Sequence, residues 1–104
     1  MTDLPLLYIA EADSAFRTTA ERVLGQDFSV RTFADGISCI SLLSEKPPSI
    51  LLLGVNLADA SAVDLCRDIK GDGMLHDTHL VLLLNADATP DLIDEAHAAG
   101  CDEE

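Results

Sequence analysis

Acidic side chains at the ends of apolar runs are the residues of this sequence that could do chemistry. Glu11–Asp13 follows one such run, Gly54–Asp59 follows a second, and Asn85–Asp87 follows a third. These segments contain no Lys, no Arg and no glycine-rich phosphate loop. Carboxylate and amide oxygens without basic neighbours repel phosphates and suit a hard cation such as Mg²⁺ or Ca²⁺. A cation or small-ligand site is therefore one interpretation of this acidic rim.

Histidines offer a second candidate chemistry. His76 and His79 form an HxxH pattern with Asp77 between them, a pattern that could ligate zinc. The pattern lies in a segment that leads into an apolar run, rather than on a helix face, and no second pair of ligands follows it. We therefore predict no zinc site. Neither these histidines nor His97 has an evident nucleophilic partner, so His-based catalysis has no support.

Composition limits the classes of protein to which the chain can belong. The 104 residues suffice for one domain, and 48% of them are hydrophobic, which excludes a disordered tail. The net charge of −13, from 6 basic and 19 acidic residues, argues against direct binding to nucleic acid or to an anionic membrane. The first residues show no signal-peptide pattern, and no apolar run approaches the ~20 residues of a membrane span.

Cysteine usage indicates the redox compartment. Cys39, Cys66 and Cys101 are odd in number and form no CxxC pattern, which is typical of free thiols in a reducing cytosol. We predict that Cys39 and Cys66 pack as small apolar groups, because free cysteine is among the most buried residue types. Cys101 falls in a loop and is expected to be more exposed. A cytoplasmic location follows as a prediction.

Four segments have the character of strands. Residues 6–10, 50–53 and 80–84 are short, purely apolar runs bounded by breakers, which indicates strands buried on both faces. Residues 28–33 alternate apolar with polar, which indicates an edge strand with one wetter face.

Helical patterns lie between and after these runs. Phe16, Ala20, Val23 and Leu24 form one apolar stripe, which Asp13 or Ser14 can cap. Two further helices are indicated by apolar residues before Pro47 and between 63 and 69, and Thr89-Pro90 opens a fourth. Regular alternation of strand and helix predicts an α/β parallel sheet covered by helices on both faces. Ligands of such sheets bind beyond the carboxyl ends of the strands, where the acidic rim lies.

Five segments carry a resemblance to a known family: LLYIAEADSAFR at 6–17, FADG and its apolar sequel at 33–43, ILLLGVNLADASAVDLCRDIK at 50–70, THLVLLLNA at 78–86 and AAGCD at 98–102. Through them the chain resembles a response-regulator receiver domain, the phosphoryl-accepting module of two-component signalling. The resemblance implies a flavodoxin-like, doubly wound parallel sheet with strand order 2-1-3-4-5. The family's fifth strand, its Lys and its last helix would follow Glu104. We therefore expect the strand and the helix to be missing here, which leaves the fourth strand as a bare apolar edge, while the sequence leaves the state of the Lys open.

The resemblance also marks the residues that would do the family's chemistry, and most are replaced. Receivers accept the phosphoryl group on an Asp that ends the third strand, where this chain has Gly54 and hence no nucleophile. Of the two acidic residues that hold Mg²⁺ in the family, Glu11 matches the first and Ala12 replaces the second. Glu11 and the Asn56 carbonyl would bind Mg²⁺ weakly at best, so no metal or cofactor is expected. Leu84 takes the position of the Ser or Thr that ends the family's fourth strand.

Asp59 is the nearest carboxylate that could replace the missing acceptor. It lies five residues beyond Gly54, and at ~3.3 Å per residue the chain carries it well away from the strand end. We therefore interpret Asp59 as a turn or cap residue before the third helix.

Residues 1–104 are thus predicted to form a single receiver-like domain at the front of a longer signalling protein. The predicted function is a phosphorylation-incompetent module, without enzymatic activity, that contacts other signalling proteins or forms a homodimer. Three alternatives stay open: a domain that binds a cation or small ligand at its acidic rim, an enzyme on a flavodoxin-like scaffold, and an atypical receiver that is still phosphorylated. Direct contacts with nucleic acid or membrane are not expected.

Overall fold

The computed structural model describes residues 4–43, 45–55, 57, 59, 61–73, 75, 77–84 and 89–103. Strands and helices alternate along these residues in the predicted order. The elements are β1 (Leu6–Ala10), α1 (Ser14–Leu24), β2 (Ser29–Phe33), α2 (Gly36–Leu43), β3 (Ile50–Gly54), α3 (Ala62–Gly71), β4 (His79–Leu83) and α4 (Pro90–Ala98). No helix in this part of the chain is both long enough and apolar enough to span a membrane.

The strands form one parallel sheet in the order β2-β1-β3-β4. This order confirms the predicted flavodoxin-like, doubly wound architecture. β2 lies at an edge, as its alternating pattern predicted, and its side chains at Ser29 and Arg31 are exposed. The three apolar runs became β1, β3 and β4, and β3 is hydrogen-bonded to β1 on one side and to β4 on the other.

Helix starts follow the predicted capping signals. The Asp13 carboxylate accepts hydrogen bonds from the amides of Ala15 and Phe16, so it caps the amino end of α1. Thr89 caps α4 in the same way, with Pro90 at the first helical position.

Strand order decides which face each helix covers. The chain moves from β1 to β2 in one direction across the sheet, and from β2 to β3 and β3 to β4 in the other. Because parallel crossovers are right-handed, α1 lies on one face, while α2 and α3 lie on the opposite face. Ala96 and Ala99, within and just after α4, join the same buried cluster as the residues of α2 and α3.

The main core lies between the sheet and the helices α2, α3 and α4, which cover one of its faces. Side chains from three neighbouring strands point into it in register, because Tyr8 pairs with Leu51 and Leu51 with Leu80. All three are fully buried. The Tyr8 hydroxyl donates a 2.6 Å hydrogen bond to the Lys46 carbonyl, and its ring meets Phe33 edge to face at 5.3 Å.

Packing on the α1 face is looser than the sequence predicted. Ala20 and Leu24 of the predicted stripe are half-buried, but Phe16 and Val23 are 40% and 59% exposed. Half of the apolar stripe predicted for α1 is therefore exposed to solvent. Among the described residues, α1 is the one helix on this face, and it contacts the β2 side of the sheet. Sheet residues farther along this face, such as Leu52, are only half-buried.

The outer edge of β4 is not bare, which corrects a second expectation. Glu103 forms a parallel bridge with Val81: the Leu82 amide donates to the Glu103 carbonyl, and the Glu103 amide donates to the Leu80 carbonyl. The described chain thus contains the first step of a fifth parallel strand. Cys101 lies against β4 and is buried at 8% exposure, which is still more than the 2% of Cys39 and the 0% of Cys66, as its position in a loop predicted.

Lys70 of α3 contacts residues 100–102 and holds this segment beside β4. Its ammonium donates to the Thr78 carbonyl at 2.8 Å and lies 2.5 Å from a carboxylate oxygen of Asp102. Partial burial alone would raise the pKa of Asp102, but hydrogen bonds from Lys70 and from the Leu80 amide lower it below its usual value. Gly100 has a φ of 100°, and a Cβ there would lie 3.0 Å from the Lys70 side chain, so a glycine suits both its backbone and its contact.

Candidate functional site

The carboxyl edge of the sheet brings the ends of β1 and β3 together. Ala10 pairs with Leu53, so Glu11 and Gly54, the next residues along each strand, are neighbours in space. Gly54 in turn pairs with Leu83, the last residue of β4. Three of the four strands therefore end at one place, which is where the sequence predicted a site.

Glu11 occupies the space that a side chain at position 54 would need. A Cβ built on Gly54 would lie 2.9 Å from the carboxyl carbon of Glu11, closer still to its Oε2, and 3.2 Å from the Ala10 carbonyl oxygen. Real Cβ atoms do not approach other atoms at the first two of these distances. The other oxygen of Glu11, Oε1, accepts a 3.2 Å hydrogen bond from the Asp13 amide. The Glu11 carboxylate thus occupies the space that a side chain at position 54 would need, and Gly54 leaves that space open.

Arg17 brings a positive charge to the same rim. Its Nη1 donates to the carbonyl of Glu11 at 2.6 Å and to the carbonyl of Ala12 at 3.0 Å. The expectation of a rim without basic groups is therefore wrong, because a side chain from the first turns of α1 reaches back over the loop. A fixed guanidinium beside Glu11 opposes a divalent cation at this place by Coulomb repulsion.

Asp59 reaches α2 rather than α3. Its two carboxylate oxygens accept hydrogen bonds from the Gly36 and Ile37 amides at 2.9 and 3.0 Å. These backbone hydrogen bonds hold the pKa of Asp59 below its ordinary value of 3.8. Asp59 lies in a turn before α3, as predicted, but the residue that caps α3 is Ser61. Asp59 instead ties the β3–α3 loop to the start of α2.

Replacing Asp59 by Asn is expected to lower the free energy of unfolding in a pH-dependent way. An amide has one acceptor oxygen where the carboxylate offers two with a full charge. Because the folded-state pKa is depressed, the carboxylate stabilises the fold fully above about pH 4 and loses this effect as pH falls through the folded-state value. Urea unfolding across this range measures the difference between variant and wild type.

The control for Asp59→Asn is Asp94→Asn, which changes an exposed aspartate within α4. The control should follow the wild type at every pH. A gap between wild type and Asp59→Asn that stays constant down to the lowest pH would contradict a role for the carboxylate charge.

The other predicted positions fall in different surroundings. Ala12 is exposed and offers no ligand. Leu84 directly follows β4, is half-buried and packs against the main core. Asn56, Asn85 and Asp87 lie outside the described residues. At this edge, the structure thus brings together Glu11, Gly54 and Arg17.

The histidine pattern lies at the opposite edge of the sheet. His79 begins β4, and its Nε2 is 3.6 Å from an exposed Glu103 carboxylate. His76 lies outside the described residues. In the ranges that the structure describes, no three His, Cys, Asp or Glu side chains form a group that could hold a metal ion.

Cys39 and Cys66, two of the three buried cysteines, are poor nucleophiles. Burial, followed by the charge of Asp35, raises the pKa of Cys39 to about 12. Burial is also the main reason that the pKa of Cys66 rises to about 11. Thiols with such pKa values carry almost no thiolate at neutral pH. The prediction that both pack as small apolar groups is confirmed.

Solved structures resemble this fold over nearly the whole chain at low sequence identity. The phosphorylated cyanobacterial phytochrome response regulator RcpA has a TM-score of 0.87 at 19% identity, covering 96% of this chain and 78% of its own. The chemotaxis response regulator CheY4 of Vibrio cholerae has a TM-score of 0.84 at 16% identity, covering 98% and 84%. The BeF3-activated receiver domain of DrrB from Thermotoga maritima has a TM-score of 0.81 at 24% identity, covering 96% and 81%. The chain has the receiver fold.

No protein-family model matches the chain, and no curated protein matches it either. The receiver fold is shared although only about a fifth of aligned residues are identical, because parallel sheets of this kind need apolar strands and capped helices rather than particular residues.

Proposed function

We propose that this domain is a pseudo-receiver: a receiver-fold module of two-component-type signalling that takes no phosphoryl group and acts through protein contacts. The observation that carries the proposal is the Glu11 carboxylate lying where the side chain of position 54 would begin. An acceptor needs a carboxylate nucleophile with free access to the incoming phosphorus. Here the nucleophile is absent and its space is filled.

Metal binding has little support at the same place. Phosphoryl transfer between anions relies on a cation that offsets the developing charge. Glu11 is the one carboxylate that remains of the family's pair, Ala12 supplies no ligand, and Arg17 holds the loop carbonyls. These observations therefore argue against both alternatives, a cation site and an atypical receiver that is still phosphorylated.

The remaining parts of the proposal follow from charge and from the missing chemistry. Because the described residues at the carboxyl edge include no nucleophile–base pair, the domain is proposed to bind rather than to catalyse. Its partners are other signalling proteins or a second copy in the cytoplasm. A net charge of −13 repels nucleic acid and anionic lipid. Regulation then operates by binding, which shifts a population of states already present.

Incubation with acetyl phosphate and Mg²⁺, followed by intact-mass spectrometry, tests the proposal. We expect the mass to stay unchanged, while a receiver that has the acceptor Asp gains one phosphoryl group in the same tube. Beryllium fluoride binding, followed by ¹⁹F NMR, provides a second readout and should also be absent. A gain of one phosphoryl group on an Asp of this chain would overturn the proposal.

A further inference from the structure

α2 is more apolar than its position in the fold explains. Five of its eight residues are Ile, Cys or Leu, and none is charged. Ser38 and Ser41 give α2 a narrow polar side, and apolar residues on the rest of a helix circumference are normally buried. Cys39 and Leu43 do face the core, but Ile37 and Ile40 on the outer side are 64% and 42% exposed.

A groove adjoins this outer side, between α2 and α3. Its volume is about 130 Å³, several times the ~30 Å³ that one water molecule occupies in the liquid. It therefore has room for a side chain. Its apolar lining includes Ile40, Leu43, Leu65 and Ile69, and its acidic lining consists of Asp68 and Asp72. We refer to these residues together as the α2–α3 groove.

The negative charges around the groove favour a basic partner over a second copy of this chain. Asp68 of α3 is exposed beside it, and the chain as a whole carries a net charge of −13. Two copies that met groove to groove would bring these carboxylates together, so like charges oppose a homodimer through this surface. An apolar side chain flanked by Lys or Arg would instead fill the groove and pair with the exposed Asp68 carboxylate.

We propose that the α2–α3 groove binds an amphipathic helix of a partner protein, with large aliphatic residues at i and i+4 and Lys or Arg beside them. Helix-in-groove recognition uses this spacing of apolar anchors. The inference rests on one part of the proposed function, namely that the domain acts by binding other proteins. Asp59 hydrogen-bonds the first turn of α2, so the β3–α3 loop that follows Gly54 also positions one wall of the groove.

A designed helical peptide with Leu at i, i+4 and i+7 and Lys at the flanking positions is the probe. We expect saturable binding with a dissociation constant on the order of 100 µM. In ¹⁵N NMR spectra, the shifted amides should map to α2 and α3. Raising NaCl from about 0.05 M to about 0.5 M should weaken binding several-fold, because exposed charges are screened. A peptide with Glu in place of Lys should not bind.

Variants locate the surface. Ile40→Lys removes the exposed apolar wall and adds a repelling charge, and Asp68→Lys reverses the rim; each should weaken peptide binding at least about tenfold. Val23→Lys is the matched control, since Val23 is an exposed aliphatic residue on α1, on the other face of the sheet, with 59% exposure against 42% for Ile40. It should bind the peptide like the wild type. Circular dichroism and thermal melts establish that all three variants are folded.

Four outcomes overturn the inference: no saturable binding up to ~1 mM peptide, equal binding by Ile40→Lys and the wild type, equal binding of the Glu peptide, or shifts confined to α1. A concentration-dependent dimer that Ile40→Lys dissociates would also overturn it, because the occupant would then be a second copy. Failure here leaves the acetyl phosphate result untouched, so the two proposals fail separately.

Discussion

The double variant Ala12→Asp/Gly54→Asp is expected to bind Mg²⁺ at least about tenfold more tightly than the wild type. Its new carboxylates would restore the two acidic groups that the receiver family has and this chain lacks at the carboxyl edge. Glu11 must first leave the space beside position 54, which costs little because its carboxyl group is the end of a flexible side chain. Isothermal titration calorimetry measures the affinity directly.

The control for this variant carries the same added charge elsewhere. Gln26→Asp/Ser49→Asp changes two exposed residues that precede β2 and β3, at the opposite edge of the sheet. Its affinity for Mg²⁺ should equal that of the wild type. Equal affinities in all three proteins would contradict the idea that Gly54 and Ala12 removed a metal site. Tight binding by the wild type would favour the acidic-rim alternative instead.

Local sequence signals predicted the fold well because local chemistry determines most of it. Uninterrupted apolar runs became parallel strands, although Leu52 and Val81 are only half-buried on the α1 face, and alternation in residues 28–33 became an edge strand. Asp13 and Thr89 cap helices through hydrogen bonds that span two or three residues. Such contacts are visible in a sequence without knowledge of tertiary structure.

The site was predicted only in part, because its contacts join distant residues. Gly54 could be placed from the sequence, but the approach of Glu11 to it depends on the pairing of two strands. Asp59 binds amides 22 and 23 residues away, which no local capping rule reveals. Arg17 follows Glu11 by six residues, and its reach depends on how the first turn of α1 folds back over the loop.

The largest loss of stability is expected from Leu53→Ala. Leu53 is 1% exposed and points into the main core, between the sheet and the helices α2, α3 and α4. Truncation leaves a cavity that the surrounding strands cannot close, so the free energy of unfolding should fall by about 2–5 kcal/mol. Urea unfolding followed by circular dichroism measures this change.

Leu52→Ala is the matched control, because it removes the same atoms from the neighbouring residue of the same strand. Leu52 points to the opposite face, where it is half-buried and pairs with Val81. Less apolar area is lost there, so we expect about 1–2 kcal/mol. Equal losses in the two variants would mean that the α1 face is packed as tightly as the other. A clear difference would establish that one face of this sheet is fully packed by the described residues, while the other keeps apolar surface for contact.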